Sequence, residues 1–228
     1  MGELVTMSLV AEQLGDFEQM LKLANLILKG KRHDVAFNTT LQRDSVYERS
    51  LTITSEERTI VNVAFSSYLR EKREVLDYYK AVHDNGAFQK VTKDGAILGL
   101  LRPMVDDYRS IIEKQMRELE EVQQKDWSAD CKIYLNKLIL DCRRYLVESK
   151  IYYDGARGDE IEKECRDIDE AYAVSIKEAN DEKIPYNSAI KLGLINNAVL
   201  YKAEVMGNLV EAYEIAKLAS DVGKDQLV

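Results

Sequence analysis

Apolar side chains recur at spacings of three and four along most of this chain, the period of a helix with one buried face. Leu4, Val5, Leu9, Val10 and Leu14 form such a stripe within residues 3–14, and Gly15-Asp16 interrupts it. A second stripe of Phe17, Met20, Leu21, Ala24, Ile27 and Leu28 predicts a helix that Lys29-Gly30 stops. Residues 31–53 are polar and irregular, a long connection of a kind that compact domains rarely keep without a use. Thr54 with Glu57 three residues on predicts a capping box. It opens a helix carrying Ile60, Val61, Ala64, Tyr68, Leu69, Leu76 and Tyr79 and reaching about His83. Turn signals at Asp84-Asn85-Gly86 and Lys93-Asp94-Gly95 follow, and Pro103 suits the first turn of a helix running to about Val122.

Trp127 sits in a short link before the next stripe, Ile133, Leu135, Leu138, Ile139, Cys142, Tyr145, Leu146 and Ile151. Breaks at Asp154–Gly158 and Ile184–Ser188 separate it from a helix over about 159–177 and from a strongly apolar one over 189–206; a last helix covers 208–222. The pattern predicts about eight helices and no strand: an all-α array of antiparallel neighbours in one domain, residues 1–228. Residues 31–53 and 84–103 are its probable insertions or long connections, and no fixed repeat period emerges.

Composition narrows the function classes. With 228 residues, 46% hydrophobic and 32% charged, the chain has enough apolar surface for a sizeable core. A formal net charge of -8 argues against a general nucleic-acid binder. No apolar run approaches the ~20 residues of a membrane span, and no basic-then-apolar leader opens the sequence. The three cysteines, Cys131, Cys142 and Cys165, show no metal spacing, which points to a cytoplasmic protein without disulfides. His33 and His83 have no ligand-spaced partners, and no nucleophile motif or phosphate-cradling Gly loop is present. No cofactor, metal or enzymatic activity is expected.

The stretch Asp141 to Glu148 carries the best candidate chemistry. Arg144 and Tyr145 are neighbours on one helix, and an Arg fork matches phosphate or carboxylate bidentately while Tyr adds one hydroxyl donor. A solvated Arg beside a core Tyr would leave the same trace. Asp141, three residues before Arg144, is within intrahelical reach and is expected to orient it.

Other fragments bear on the choice. Glu3-Leu4-Val5 is followed by Ala11-Glu12-Gln13, and Glu56-Glu57-Arg58 by Asn62-Val63-Ala64-Phe65. After Arg144-Tyr145-Leu146 come Ala171-Tyr172, Pro185, Leu192-Gly193-Leu194, Asn197 and Glu204, then Ala212, Ala216-Lys217, Ala219 and Asp221. In this order and spacing they resemble the 14-3-3 family over most of the chain, residues 31–53 and 84–103 excepted. The resemblance implies a helical adaptor that dimerises through its N-terminal helices and holds phosphoserine or phosphothreonine peptides of client proteins in a concave groove.

Residue by residue, the resemblance implies that Arg73, Arg144 and Tyr145 bind phosphate. Ser66, Lys137, Asn197 and Glu204 would line the peptide groove, and Val10, Leu14 and Tyr108 the homodimer interface. There are departures. Ser66 stands at the family's pocket Lys, seven residues before Arg73 and on the same helical face. Asp16, Gln19, Ile111 and Gln115 occupy the positions of the usual interface ion pairs. The family's last groove helix has no match, so the apolar face of 189–206 is expected to lack part of its cover. Ser66 and the unmatched helix keep open one alternative, a divergent helical scaffold that binds partners independently of phosphorylation.

Overall fold

The structure, a computed structural model, describes residues 2–31, 51–84 and 95–225, without the side chains of 83, 84, 95–98 and 225. His33, most of both expected connections and the last three residues lie outside it. The helices are α1 (Gly2–Gln13), α2 (Phe17–Gly30), α3 (Ser55–Asp84), α4 (Gly95–Gln123), α5 (Ala129–Tyr153), α6 (Asp159–Asp181), α7 (Ala189–Leu200) and α8 (Leu209–Asp225). They pack as an antiparallel array, each against the next along the chain, with α1 also against α3 and α7 across α5. Among the described residues there is no strand, only an isolated bridge between Leu51 and Trp127.

Local chemistry sets the helix starts. Asp16 caps α2 by accepting from the Gln19 N–H at 3.0 Å. The capping box of α3 forms: the Thr54 N–H donates to Glu57 Oε2 at 2.8 Å and the Glu57 N–H to Thr54 Oγ1 at 3.2 Å. Lys31 reaches the same Glu57 oxygen at 2.6 Å, tying the end of α2 to the start of α3. Burial works against the Glu57 charge, yet these bonds together hold its carboxyl below its ordinary value.

Two expectations need correction. Helix α4 begins at Gly95, and Pro103 lies inside it, not in its first turn. Leu101 and Val105 on either side of Pro103 are buried, so core contacts hold a turn that propensity alone would have broken. The connection over 31–53 also ends in core and not in irregular polar chain. Leu51 and Ile53 are buried, the Leu51 N–H donates to Asp126 O at 2.7 Å, and the Ile53 N–H donates to Cys131 Sγ at 3.2 Å.

Helix α5 runs through the middle of the core, with Leu135, Cys142 and Val147 fully enclosed. Beyond α7 the chain widens into a π-helical turn, Tyr201–Val205. Buried Lys202 anchors that turn to Asp169 at 2.7 Å and to Glu211 at 3.0 Å, linking α6 to α8. Gly207, at φ +68, then makes the left-handed bend into α8. Leu192 and Leu200 on α7 and Leu209, Val210, Tyr213 and Leu218 on α8 are exposed.

Candidate functional site

Helix α3 brings Arg73 and helix α5 brings Arg144, and the two meet on one carboxylate. Arg73 Nη2 donates to Glu148 Oε2 at 2.8 Å, and Arg144 Nη1 donates to Glu148 Oε1 at 2.8 Å. Both guanidinium carbons lie against the ring of Tyr145, at 4.4 Å for Arg144 and 5.2 Å for Arg73. Phe65 of α3 packs on that ring from a third direction, with centroids 6.1 Å apart.

Electrostatics keep both arginines charged. Burial opposes the Arg144 charge, but Glu148 and the neighbouring tyrosines outweigh it and raise its pKa. Burial likewise opposes Arg73, whose pKa is raised by Tyr108 and Glu148. Burial also raises Tyr145, so its hydroxyl stays a protonated donor at neutral pH. Arg144 Nε is buried without a hydrogen-bond partner, a donor the free protein leaves unused.

Asp141 does not hold Arg144 as expected. It is 5% exposed and accepts from Asn197 Nδ2 at 2.6 Å, Lys137 Nζ at 2.7 Å and the Tyr172 hydroxyl at 3.3 Å. Three donors from other residues occupy it, and Arg144 donates to Glu148, four residues on. Asp141 instead joins α5, α6 and α7 and brings together two of the expected groove residues, Lys137 and Asn197. Gly193 makes room for this, since a Cβ there would lie 3.1 Å from Lys137 Cε. Sequence reasoning assigned Glu148 no role, although its i,i+4 spacing from Arg144 was visible.

Arg73 of α3 and Arg144 of α5 thus share one carboxylate, and Asn197 ties α7 to α5 through Asp141. The family model described as 14-3-3 protein matches residues 30–227. The chain belongs to the 14-3-3 family. It is similar to 14-3-3 protein eta of Homo sapiens, 27% identical over 220 residues, covering 91% of this chain and 82% of that protein. The eta proteins of Bos taurus and Mus musculus give the same identity and coverage.

This 14-3-3 chain places its other expected residues unevenly. Ser66 is exposed on α3, and its hydroxyl makes a long 3.4 Å bond to Val63 O. Glu204, in the π-helical turn, is exposed and borders a cavity of about 320 Å³ that Arg73, Asp77, Tyr108, Glu148 and Tyr153 also line. Val10 projects from α1 and Leu14 from the turn just after it, Leu14 being 78% exposed. Tyr108 is a correction: at 1% exposed it is inside the protomer, facing the cavity, and offers nothing to an interface. Its hydroxyl has no hydrogen-bond partner, and burial pushes its pKa up to about 12 although the Arg73 charge pulls the other way. Gln115 also turns inward, exchanging two 2.9 Å amide bonds with Asn25 of α2.

No helix among the described residues is long and apolar enough to cross a membrane. No group of three or more His, Cys, Asp or Glu among them is placed to hold a metal ion.

Proposed function

We propose that this 14-3-3 protein is a cytoplasmic adaptor, without a reaction of its own, that binds phosphoserine or phosphothreonine segments of client proteins. Arg73, Arg144 and Tyr145 take the phosphate, Lys137 and Asn197 contact the peptide beside it, and Glu204 flanks the groove. One observation carries the reading: two guanidiniums from different helices converge on a single carboxylate, so the pair is already spaced for a bidentate anion. A phosphate monoester brings about -1.5 to -2 charges and three acceptor oxygens. Each guanidinium has five N–H donors, so Glu148 leaves most of them for the phosphate.

Glu148 cancels one of the two arginine charges, and Ser66 supplies none where the family has Lys. Phosphate binding is therefore weaker here than in a pocket with that Lys. The protein works as a homodimer through apolar residues of α1 and the turn after it, Val10 and Leu14 among them. A second reading, a scaffold indifferent to phosphorylation, draws on the same two residues, Glu148 and Ser66. Titrating matched phosphorylated and unphosphorylated serine-peptide libraries against the purified protein separates the two. Retention of the phosphorylated library alone supports the adaptor, and equal retention supports the scaffold.

A further inference from the structure

Resting on the reading of Arg73 and Arg144 as a phosphate cradle, we infer that Ser66 is a phosphorylation switch, whose phosphate becomes an internal ligand of Arg73 and closes the cradle to clients. Ser66 is exposed in the body of α3, and its 3.4 Å bond to Val63 O is too long to hold the hydroxyl. The preceding residue, Phe65, packs on Tyr145, the ring that both guanidiniums lie against. Seven residues is almost two helical turns, so Ser66 and Arg73 share a face about 10.5 Å apart along the axis. Helical side chains lean towards the N-terminus, which tilts the long Arg73 stem back towards residue 66.

Arg70, one turn after Ser66, is exposed and holds Glu74 only at 4.0 Å, leaving it free to turn to a stronger anion. A phosphate on Ser66 thus meets Arg70 one turn on and Arg73 two turns on. Its competitor for Arg73 is Glu148, which carries a single charge and fewer acceptor oxygens. An attached phosphate also acts at an effective concentration on the order of millimolar, above that of most free clients.

The transfer is ordinary kinase chemistry with ATP as co-reactant. Ser66 Oγ attacks the γ-phosphorus, and the new O–P bond forms as the bond to the departing ADP breaks. The hydroxyl proton passes to the kinase's base. A Lys at this position could only add to the cradle; a Ser can also be made to block it.

The test uses the full chain with phosphoserine incorporated at position 66. Its second phosphate pKa, followed by phosphorus NMR, is expected about one unit lower in the folded protein than in the same protein in urea. Arg73→Gln should remove most of that shift. Should that variant not fold, the Arg73 Nε–H resonance of the unsubstituted chain, expected to move on phosphorylation, reads the same contact. Phosphopeptide affinity of the phosphorylated chain is expected to be at least tenfold weaker than that of the unmodified chain. An identical pKa in folded and unfolded chain, or an unchanged peptide affinity, would overturn the inference. Failure of the unmodified chain to bind any phosphopeptide would sink the adaptor reading instead, while the phosphorus titration still reports the contact with Arg73.

Discussion

Arg73 donates to Glu148 at 2.8 Å across the seam between α3 and α5. With Arg144 on the other oxygen, this one carboxylate holds two guanidiniums that would otherwise repel each other, one of them almost fully buried. Glu148→Gln removes the charge but keeps one acceptor. It should lower folding stability by about 1.5–3 kcal/mol, the scale of a hydrogen bond to a charged group. Phosphopeptide should bind the variant more tightly and restore about 2.7 kcal/mol at a hundredfold excess over Kd. Urea unfolding with and without peptide measures both effects.

Ser66→Lys restores the positive charge on the face of α3 that carries Arg73. A charge-assisted bond is roughly twice as strong as the neutral one that a hydroxyl can offer. Phosphopeptide affinity should rise several-fold, with no change for the unphosphorylated peptide. Equal gains for both would mean that the new Lys acts away from the phosphate.

Leu14 and Tyr108 give opposite outcomes for assembly. Leu14→Asp puts a charge on the exposed apolar turn that follows α1 and should shift sedimentation at micromolar concentration towards monomer. Tyr108→Phe removes only a hydroxyl that has no partner, so dimerisation should not change and stability should hold or rise slightly. A monomer-only profile for the unaltered protein would remove the dimer from the account.

Acid should loosen the α2–α3 junction. The Glu57 carboxyl is held below its ordinary value by Lys31 and the Thr54 N–H. A depressed folded pKa means a contribution fully present above the unfolded value, near 4.5, and lost as pH falls through the folded one. Stability should therefore decline on acidification below about pH 4.5, and Glu57→Gln should flatten that decline. Thermal unfolding across pH 3–7 checks the sign.

Most helices were legible because their apolar stripes matched a core they could reach, and the α3 cap because Thr54 and Glu57 satisfy each other locally. Helix α1 is the exception, for Leu9, Val10 and Leu14 of its stripe are exposed while Ser8 and Ala11 are buried. The start of α4 was not, since Pro103 is a strong local signal and the burial of Leu101 beside it is a tertiary fact. Arg73, Arg144 and Tyr145 could be picked out from a family pattern, but their partner could not. Asp141 and Glu148 both lie within reach of Arg144, and only the packing of α6 and α7 shows that Tyr172 and Asn197 join Lys137 on Asp141. Tyr108 was placed at the interface by the family pattern alone, and a matched position does not say that the side chain is exposed; here it is buried inside the protomer.

Arg144 tests the central claim most directly, with its neighbour Arg143 as control. Arg144 is enclosed and faces Glu148, whereas Arg143 is exposed one position along the same helix. Fluorescence anisotropy with one labelled peptide, phosphorylated and not, should show binding of the phosphorylated form alone to the unaltered protein. Arg144→Ala should weaken it by about 2–5 kcal/mol, the range for truncating one side of a buried charge pair, and Arg143→Ala should change it little. Equal affinity for both peptides, or normal binding by a folded Arg144→Ala variant, would contradict the account.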